Sequence, residues 1–127
     1  MRRVGTIGAV VIVLAVLAAV GQADAQGKPS PVTLKARVVD AVCLLPGGLK
    51  GDGHRECAIA CDKAGVRMYL LDEQANVLYA VMADGPLKDP NAPLRAHLER
   101  VVTVKGDLYT GPGGTKVVAI KEVTAQP

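Results

Sequence analysis

The chain contains 127 residues with a formal net charge of +3, and 50% of the residues are hydrophobic although Phe and Trp are absent. This length provides for one small domain, and so weak a positive charge argues against a dedicated nucleic-acid binder. A serine hydrolase is excluded because the only serine, Ser30, lies in a Lys-Pro-Ser-Pro stretch, whereas that class of enzyme holds its nucleophile in a rigid constellation.

The first 25 residues have the layout of a secretory signal peptide. A pair of arginines precedes an apolar run over residues 4–20, and Ala23 and Ala25 provide small residues at positions −3 and −1 of a cleavage site. Cleavage after Ala25 leaves 102 residues and lowers the net charge to +2, because two arginines and one aspartate are removed. We therefore expect a periplasmic or secreted protein without a stable membrane anchor. The alternative is an uncleaved N-terminal anchor, for which a run of 17 apolar residues is short.

The next segment predicts a short lead-in followed by the first strand. Residues 26–31 are polar and contain two prolines, which is typical of a flexible connection. The alternating apolar residues of the strand are Val32, Leu34, Ala36 and Val38. The apolar positions then shift by one residue, to Val39, Ala41 and Cys43. Such a shift predicts a β-bulge, which bends a strand so that it can serve two sides of a barrel.

The segment 44–65 differs in composition from the rest of the chain. Two stretches, Pro46-Gly47-Gly48 and Gly51-Asp52-Gly53, are typical of loops. Residues 54–63 have the composition of a short helix, and Gly65 stands where a C-cap glycine is expected. The segment is therefore predicted to be a loop and helix inserted between the first and second strands.

Four further strands are predicted after this insertion, over residues 66–71, 77–82, 101–109 and 116–123. The first two form a hairpin across the loop Asp-Glu-Gln-Ala-Asn. Residues 94–100 are predicted to form a short helix, since Pro93 suits a first helical position and Leu94 and Leu98 share a face. A single domain then covers residues 32–124, and residues 125–127 form a tail.

This order of elements resembles the OB-fold, a mainly β, five-stranded Greek-key barrel. The resemblance rests on a bulged first strand, a hairpin of strands 2 and 3, one short helix between strands 3 and 4, and a closing hairpin. That closing hairpin, Val-Thr-Val-Lys-Gly-Asp-Leu-Tyr followed by Gly-Gly-Thr-Lys-Val-Val-Ala-Ile, is similar to the last hairpin of many OB barrels. The alternative is an open antiparallel sheet with one helix. The resemblance implies a fold but no activity, because OB-folds have many unrelated functions.

All three cysteines lie within nineteen positions together with one of the two histidines, in the spacing C-x10-H-x2-C-x3-C. On the predicted helix, His54, Cys57 and Cys61 lie at i, i+3 and i+7 and so share one face. Cys43 is predicted at the end of the first strand, and a fold-back of the loop would bring it to that face. Three cysteines and one histidine are a ligand set for Zn²⁺, while thiolates also suit copper or iron. We expect zinc, because zinc needs no protection from oxidation.

Two other uses of the cysteines stay open. In an oxidising compartment one pair could form a disulfide, for which Cys43 with either Cys57 or Cys61 has easier geometry than two cysteines four apart on a helix. The cysteines could also pack as small apolar residues. The odd count favours a metal, because pairing leaves one thiol unexplained. The matching alternative functions are a thiol–disulfide redox protein, with His54 activating a thiol, and a disulfide-stapled interaction module.

The segment 51–65 reads Gly-x-x-His-x-x-Cys-Ala-x-x-Cys-x-x-x-Gly. This pattern resembles loops of small exported bacterial OB-fold-like proteins that have no assigned activity. The resemblance implies a shared site and no known reaction. We therefore expect a non-enzymatic domain that binds one metal ion through Cys43, His54, Cys57 and Cys61, with the ion either structural or carried as cargo.

Other residues that carry chemistry have simpler interpretations. His97 is expected on the surface of the short helix, and Met68 and Met82 are expected in strands of the core. Three tyrosines could form a base-stacking platform: Tyr69, Tyr79 and Tyr109. The weak charge and the export signal argue against nucleic acid as a partner. No acid–base pair is recognised among the scattered carboxylates, a protein partner stays open, and the sequence indicates no oligomeric state.

Overall fold

The computed structural model describes residues 27–127. The predicted signal peptide, residues 1–25, lies outside the described residues. Within the described part of the chain, no helix has the length and apolar character needed to cross a bilayer.

Five strands form a closed barrel, and the predicted mainly β fold is confirmed. The strands are β1 (Ser30–Asp40), β2 (Met68–Asp72), β3 (Val77–Met82), β4 (Val101–Thr110) and β5 (Lys116–Ala125). Their order around the barrel is β1-β2-β3-β5-β4, and neighbours are antiparallel except β3 and β5, which are parallel. This is the Greek-key order of an OB-like barrel, and closure removes the sheet edges that the open alternative would leave.

Short helices occupy the connections between strands. Between β1 and β2 lie α1 (Ala41–Gly47), a 3-10 helix at Asp52–His54, and α2 (Arg55–Lys63). A second 3-10 helix, Ala92–His97, lies between β3 and β4, and a third, Pro112–Gly114, lies in the β4–β5 turn. The predicted helix between strands 3 and 4 is therefore present, although it has 3-10 geometry and begins two residues earlier than expected.

Aliphatic side chains fill the barrel, since the chain has no Phe or Trp. The buried core cluster consists of Leu34, Ala36, Val38, Ala58, Met68, Leu70, Tyr79, Val81, Leu94, Leu98, Val102, Val104, Val118 and Ile120. Ala58 belongs to α2, and Leu94 and Leu98 belong to the β3–β4 connection. Both insertions are therefore held on the barrel by burial of apolar surface.

Strand β1 pairs with two neighbours in succession. Residues 30–37 pair with β4 and residues 37–40 pair with β2, so Arg37 is shared by both ladders. The strand serves two sides of the barrel as predicted, but the predicted bulge near Val38 is wrong, because the pairing with β2 is regular there. The register shift lies instead between β4 and β5, where Lys105 pairs with Glu122 and Gly106 with Ile120, so that Lys121 of β5 is left unpaired in the ladder.

The shift of apolar positions after Val38 marks the end of β1. Ala41 and Cys43, predicted as strand residues, lie in α1. Asp40 is the reason, because its side-chain oxygen Oδ1 accepts a hydrogen bond of 2.8 Å from the Cys43 N–H and caps the helix. The prediction that Cys43 closes the first strand is therefore wrong, because the strand ends at Asp40 and Cys43 lies in the helix that follows.

Helix α2 ends at the predicted glycine. Gly65 has a φ of +85°, a conformation that favours glycine. Its N–H donates to the carbonyl of Asp62, and the N–H of Val66 donates to the carbonyl of Cys61. These two bonds form a Schellman cap. The chain then enters β2 at Met68, two residues later than predicted.

Candidate metal centre

The site lies at the end of the barrel where β1 finishes. Asp40 is the last residue of β1 and is fully buried. Because Asp40 caps α1, Cys43 is held in the first turn of that helix, close to the strand end. The helix ends in a left-handed turn at Gly48, whose φ is +64° and whose N–H donates to the carbonyl of Leu44.

The loop after α1 brings the histidine to the same place. Gly51 has a φ of +91°, and its carbonyl accepts a hydrogen bond of 2.9 Å from the His54 N–H. Helix α2 starts at the next residue, Arg55, and its successive turns carry Cys57 and Cys61. The loop and the helix thus present one imidazole and two thiols toward α1, as the spacing predicts.

Glu99, two residues before the start of β4, completes the site from the other side. It is fully buried and has a φ of +61°, which is uncommon for a residue other than glycine. Its N–H donates to the carbonyl of Val38 at 2.8 Å, and its carbonyl accepts from Nη1 of Arg37 at 2.8 Å. Its carboxylate accepts from Nδ1 of His54 at 3.1 Å and from the Gly51 N–H at 2.6 Å. Glu99 therefore fixes the loop and the imidazole ring to the barrel.

Six side chains with metal-binding atoms converge here: Asp40, Cys43, His54, Cys57, Cys61 and Glu99. They form three groups in which all donor atoms lie within 4.8 Å of one another: Cys43, His54 and Cys57; Asp40, Cys43 and Cys61; and Asp40, His54 and Glu99. Bonds of about 2.0–2.3 Å to zinc place two ligand atoms at most about 4.6 Å apart, and the 4.8 Å limit of these groups is close to that separation. The cluster could therefore hold a metal ion.

Two buried atoms of the cluster have no hydrogen-bond partner among the described residues, namely Asp40 Oδ2 and His54 Nε2. Since a carboxylate can only accept, the contact with Glu99 places the imidazole proton on Nδ1 and leaves a lone pair on Nε2. Carboxylate–histidine pairs of this kind orient the ring at metal sites. Both unpartnered atoms are acceptors, and a buried acceptor without a partner is costly. A cation would satisfy both.

The charges at the site also favour a cation. Within residues 27–127, both buried carboxylates face Nδ1 of His54, at 3.9 Å from Asp40 Oδ2 and 3.1 Å from Glu99 Oε1, and an imidazole with a lone pair on Nε2 carries no charge to balance them. Neither Arg37 nor Arg55 forms an ion pair with these carboxylates among the described residues, and at this place both donate to backbone carbonyl groups. Buried charges in proteins are normally paired or bound to metal.

The same environment keeps the neighbouring thiols protonated. Burial raises the pKa of the Cys43 thiol to about 12, and the nearby carboxylate of Asp40 contributes to this rise. Burial and then the charge of Asp40 also raise the pKa of Cys61. Because metals bind the thiolate, an ion entering the site would displace these protons.

Solvent reaches the cluster from the side of Cys57. All three cysteines carry free thiols, and Cys57 is exposed whereas Cys43 and Cys61 are half-buried. His54 is only 8% exposed, and the two carboxylates are fully buried. The imidazole and the carboxylates therefore form the buried side of the site, and one thiol is exposed, so an ion can enter from solution.

Of the four predicted ligands, Cys43 lies close to His54 and Cys57 in one group and close to Cys61 in another, and no group holds all four within 4.8 Å. The structure also adds two residues that the sequence interpretation missed. Asp40 carried a recognisable signal, because an Asp followed by a short apolar stretch and the pair Gly47-Gly48 is typical of a capped short helix. Glu99 carried none, since its role depends on a left-handed backbone and on contacts with residues 45 or more positions away.

Other residues with binding chemistry lie elsewhere. His97 ends its 3-10 helix, is half-buried and belongs to none of the three groups. Met68 is fully buried in the core. Tyr79 also lies in the core, and the β2–β3 register puts Tyr69 on the opposite face of the sheet, so these two tyrosines do not form one stacking platform.

No protein-family model, curated protein or solved structure matches the chain. Its function therefore has to be inferred from the geometry of this cluster.

Proposed function

We propose that the protein is an exported, non-enzymatic domain that binds one metal ion, zinc in preference, through Cys43, His54, Cys57 and Cys61. The observation that carries this proposal is the unpartnered Nε2 of His54, which is buried beside free thiols while its Nδ1 is held by Glu99. Three thiolates and one imidazole are a common tetrahedral zinc set. In this proposal Glu99 orients the imidazole without binding the ion.

A carrier role with an exchangeable ion fits the site better than a purely structural role. Cys57 is exposed, so one ligand can be reached from solution by a chelator or partner that takes up the ion. The barrel also has its own core, and of the four ligands only Cys61 packs against it. A domain whose core is independent of the ion can release that ion and stay folded.

Export is the remaining part of the proposal, and it is supported by the sequence of residues 1–25. In an oxidising compartment three neighbouring thiols would be open to oxidation, and a bound ion protects them. The mass of protein purified from cells that express the full chain tests this point. We expect a chain beginning at Gln26, and a chain that retains its N-terminus would support the anchored alternative.

The metal-binding proposal is tested by the metal content of protein purified under anaerobic, reducing conditions and then loaded with Zn²⁺. We expect about one ion per chain in the wild type. His54→Ala, Cys57→Ser and Cys61→Ser should each lower that content or weaken the affinity. His97→Ala is the matched control, because it removes the other histidine. Unchanged zinc binding in all three site variants would contradict the proposal.

A thiol–disulfide function is the second candidate, because the thiols of Cys43 and exposed Cys57 belong to the same close group. The raised pKa of Cys43 speaks against its use as a nucleophile at neutral pH, since the thiolate is the reactive form. A disulfide that opens at potentials typical of oxidoreductases would support this candidate. Thiols that stay reduced while holding a metal would support the first.

A further inference from the structure

Asp40 has one carboxylate oxygen that the fold does not use. The residue is fully buried, and its Oδ1 accepts from the Cys43 N–H to cap α1. Its Oδ2 has no hydrogen-bond partner among the described residues. Helix capping alone does not require an aspartate here, because asparagine or serine caps a helix without a buried negative charge. The unused oxygen therefore points to a second role.

The position of this carboxylate is central in the cluster. It forms one close group with Cys43 and Cys61 and another with His54 and Glu99, and in each group all donor atoms lie within 4.8 Å. Asp40, like His54, thus belongs both to a group that contains thiols and to the group that contains Glu99. An ion held by the thiols and the imidazole would lie within reach of Asp40.

The types of ligand atom in the cluster indicate which metal ion it favours. Thiolates alone suit soft Cu⁺, whereas carboxylate oxygen is a hard ligand that favours divalent ions, and zinc accepts sulfur, nitrogen and oxygen together. The cluster also places two buried carboxylates beside the thiols, both facing Nδ1 of the imidazole of His54. A doubly charged ion offsets more of this negative charge than a singly charged one.

We infer that Asp40 binds the ion directly through Oδ2 and thereby selects a divalent cation, Zn²⁺, over Cu⁺. This inference rests on the proposed metal-binding function and adds a fifth donor to the four that the sequence indicates. Asp40 is then a specificity-determining ligand as well as a helix cap.

The test compares the affinities of wild type and Asp40→Asn for Zn²⁺ and for Cu⁺, each measured by competition with a chromophoric chelator under anaerobic conditions. Asparagine keeps an oxygen that can cap α1 and removes the charge. We expect the Kd for Zn²⁺ to rise about tenfold or more, since even groups outside the coordination sphere contribute roughly 10- to 100-fold. The Kd for Cu⁺ should change much less.

Glu56→Gln is the matched control, because Glu56 is an exposed carboxylate on α2 and belongs to none of the close groups. It should leave both Kd values near those of the wild type. Equal weakening of Zn²⁺ and Cu⁺ binding by Asp40→Asn, or no effect on either, would overturn the inference about Asp40 and leave the metal site itself in place. Absence of binding of both ions to the wild type would overturn the proposed function as well.

A second measurement covers the case in which Asp40→Asn does not fold. X-ray absorption of the zinc-loaded wild type counts sulfur scatterers at about 2.3 Å and oxygen or nitrogen scatterers at about 2.0–2.2 Å. We expect at least two of the lighter scatterers, from His54 and Asp40. A single light scatterer would contradict direct binding by Asp40. Asp40→Ser, which keeps a capping hydroxyl, provides the variant for the affinity comparison.

Discussion

Nδ1 of His54 lies 3.1 Å from Oε1 of Glu99, although 45 positions separate the two residues in the chain. The other oxygen of Glu99 accepts from the Gly51 N–H at 2.6 Å. One carboxylate thus receives two donors from the loop, and it keeps the imidazole proton on Nδ1. Nε2 of His54 is therefore the nitrogen that is free to bind a metal ion.

Glu99→Gln should weaken zinc binding by about 10- to 100-fold, because the two donors meet different oxygens of Glu99 and glutamine keeps only one of these oxygens. If that oxygen pairs with Gly51, the amide NH₂ faces His54 and forces its proton onto Nε2, where a metal would bind. Competition with a zinc chelator measures the loss. The metal-free variant should be as stable as the wild type or more stable, since a buried negative charge is removed.

Glu122→Gln is the matched control for this change. Glu122 is an exposed carboxylate in β5, paired with Lys105 at 3.2 Å and far from the cluster in the barrel. We expect no effect on zinc affinity. A Glu99→Gln protein that binds zinc like the wild type would show that this carboxylate does not set the state of His54.

Removal of the metal should loosen the insertion while the barrel stays folded. The core cluster is built from strand residues such as Val102, Val104 and Val118, and of the four proposed ligands only Cys61 packs against it. Hydrogen exchange before and after chelation measures this directly. We expect faster exchange for residues 41–65 and unchanged protection in β4. Loss of protection throughout would instead assign the ion a structural role.

Gly106→Ala should destabilise the barrel by about 3 kcal/mol or more. A Cβ at Gly106 would lie 2.2 Å from the carbonyl oxygen of Ala119, in the neighbouring strand, where the register shift lets the two backbones approach. Denaturant unfolding measures the change. Gly53→Ala is the control, because a Cβ there meets nothing within 4 Å. Similar stabilities of the two variants would show that β4 can move away from β5 at little cost.

The contact of Asp62 with Arg95 should make part of the stability of the fold depend on pH. The two side chains meet at 2.6 Å, and this hydrogen bond, supported by Asn91, holds the pKa of the buried Asp62 carboxyl below its ordinary value of 3.8. A carboxyl with a lowered folded pKa stabilises the fold above its unfolded pKa, and this contribution is lost as the pH falls through the folded value. Asp62→Asn should therefore lower the Tm at neutral pH, and the difference from wild type should shrink below about pH 4.

Asp84→Asn serves as the control for this comparison, since Asp84 is exposed and its side chain makes no hydrogen bond or ion pair among the described residues. It should leave the Tm unchanged at neutral pH. A difference between Asp62→Asn and wild type that stays constant down to strongly acidic pH would show that the ion pair is not its source.

The barrel could be predicted because local patterns determine it. Alternation of apolar residues located the strands, and Gly65 located the end of α2. The prediction failed at the end of β1, where Val39 is buried next to Val38 and Cys43 follows at an even spacing. The alternation of apolar residues continues beyond the end of the strand by coincidence. The strand ends because the side chain of Asp40 caps α1.

The site could be predicted only in part, for a physical reason. His54, Cys57 and Cys61 are neighbours on a loop and helix, so their spacing alone places them together. Asp40 caps a helix locally, but its place beside Glu99, like the role of Glu99 itself, depends on contacts between distant segments and on a left-handed residue before β4. Neither property is encoded in the spacing of residues along a single chain.

Native mass spectrometry of the anaerobically purified protein tests the central proposal most directly. It counts bound metal ions and, from the mass of each species, the protons that the ion has displaced from the thiols. We predict one zinc ion per chain and a loss of protons that accompanies it, with no disulfide. A metal-free chain two hydrogens lighter than the reduced sequence, both as purified and after zinc is added, would contradict the account and show that a disulfide occupies the site.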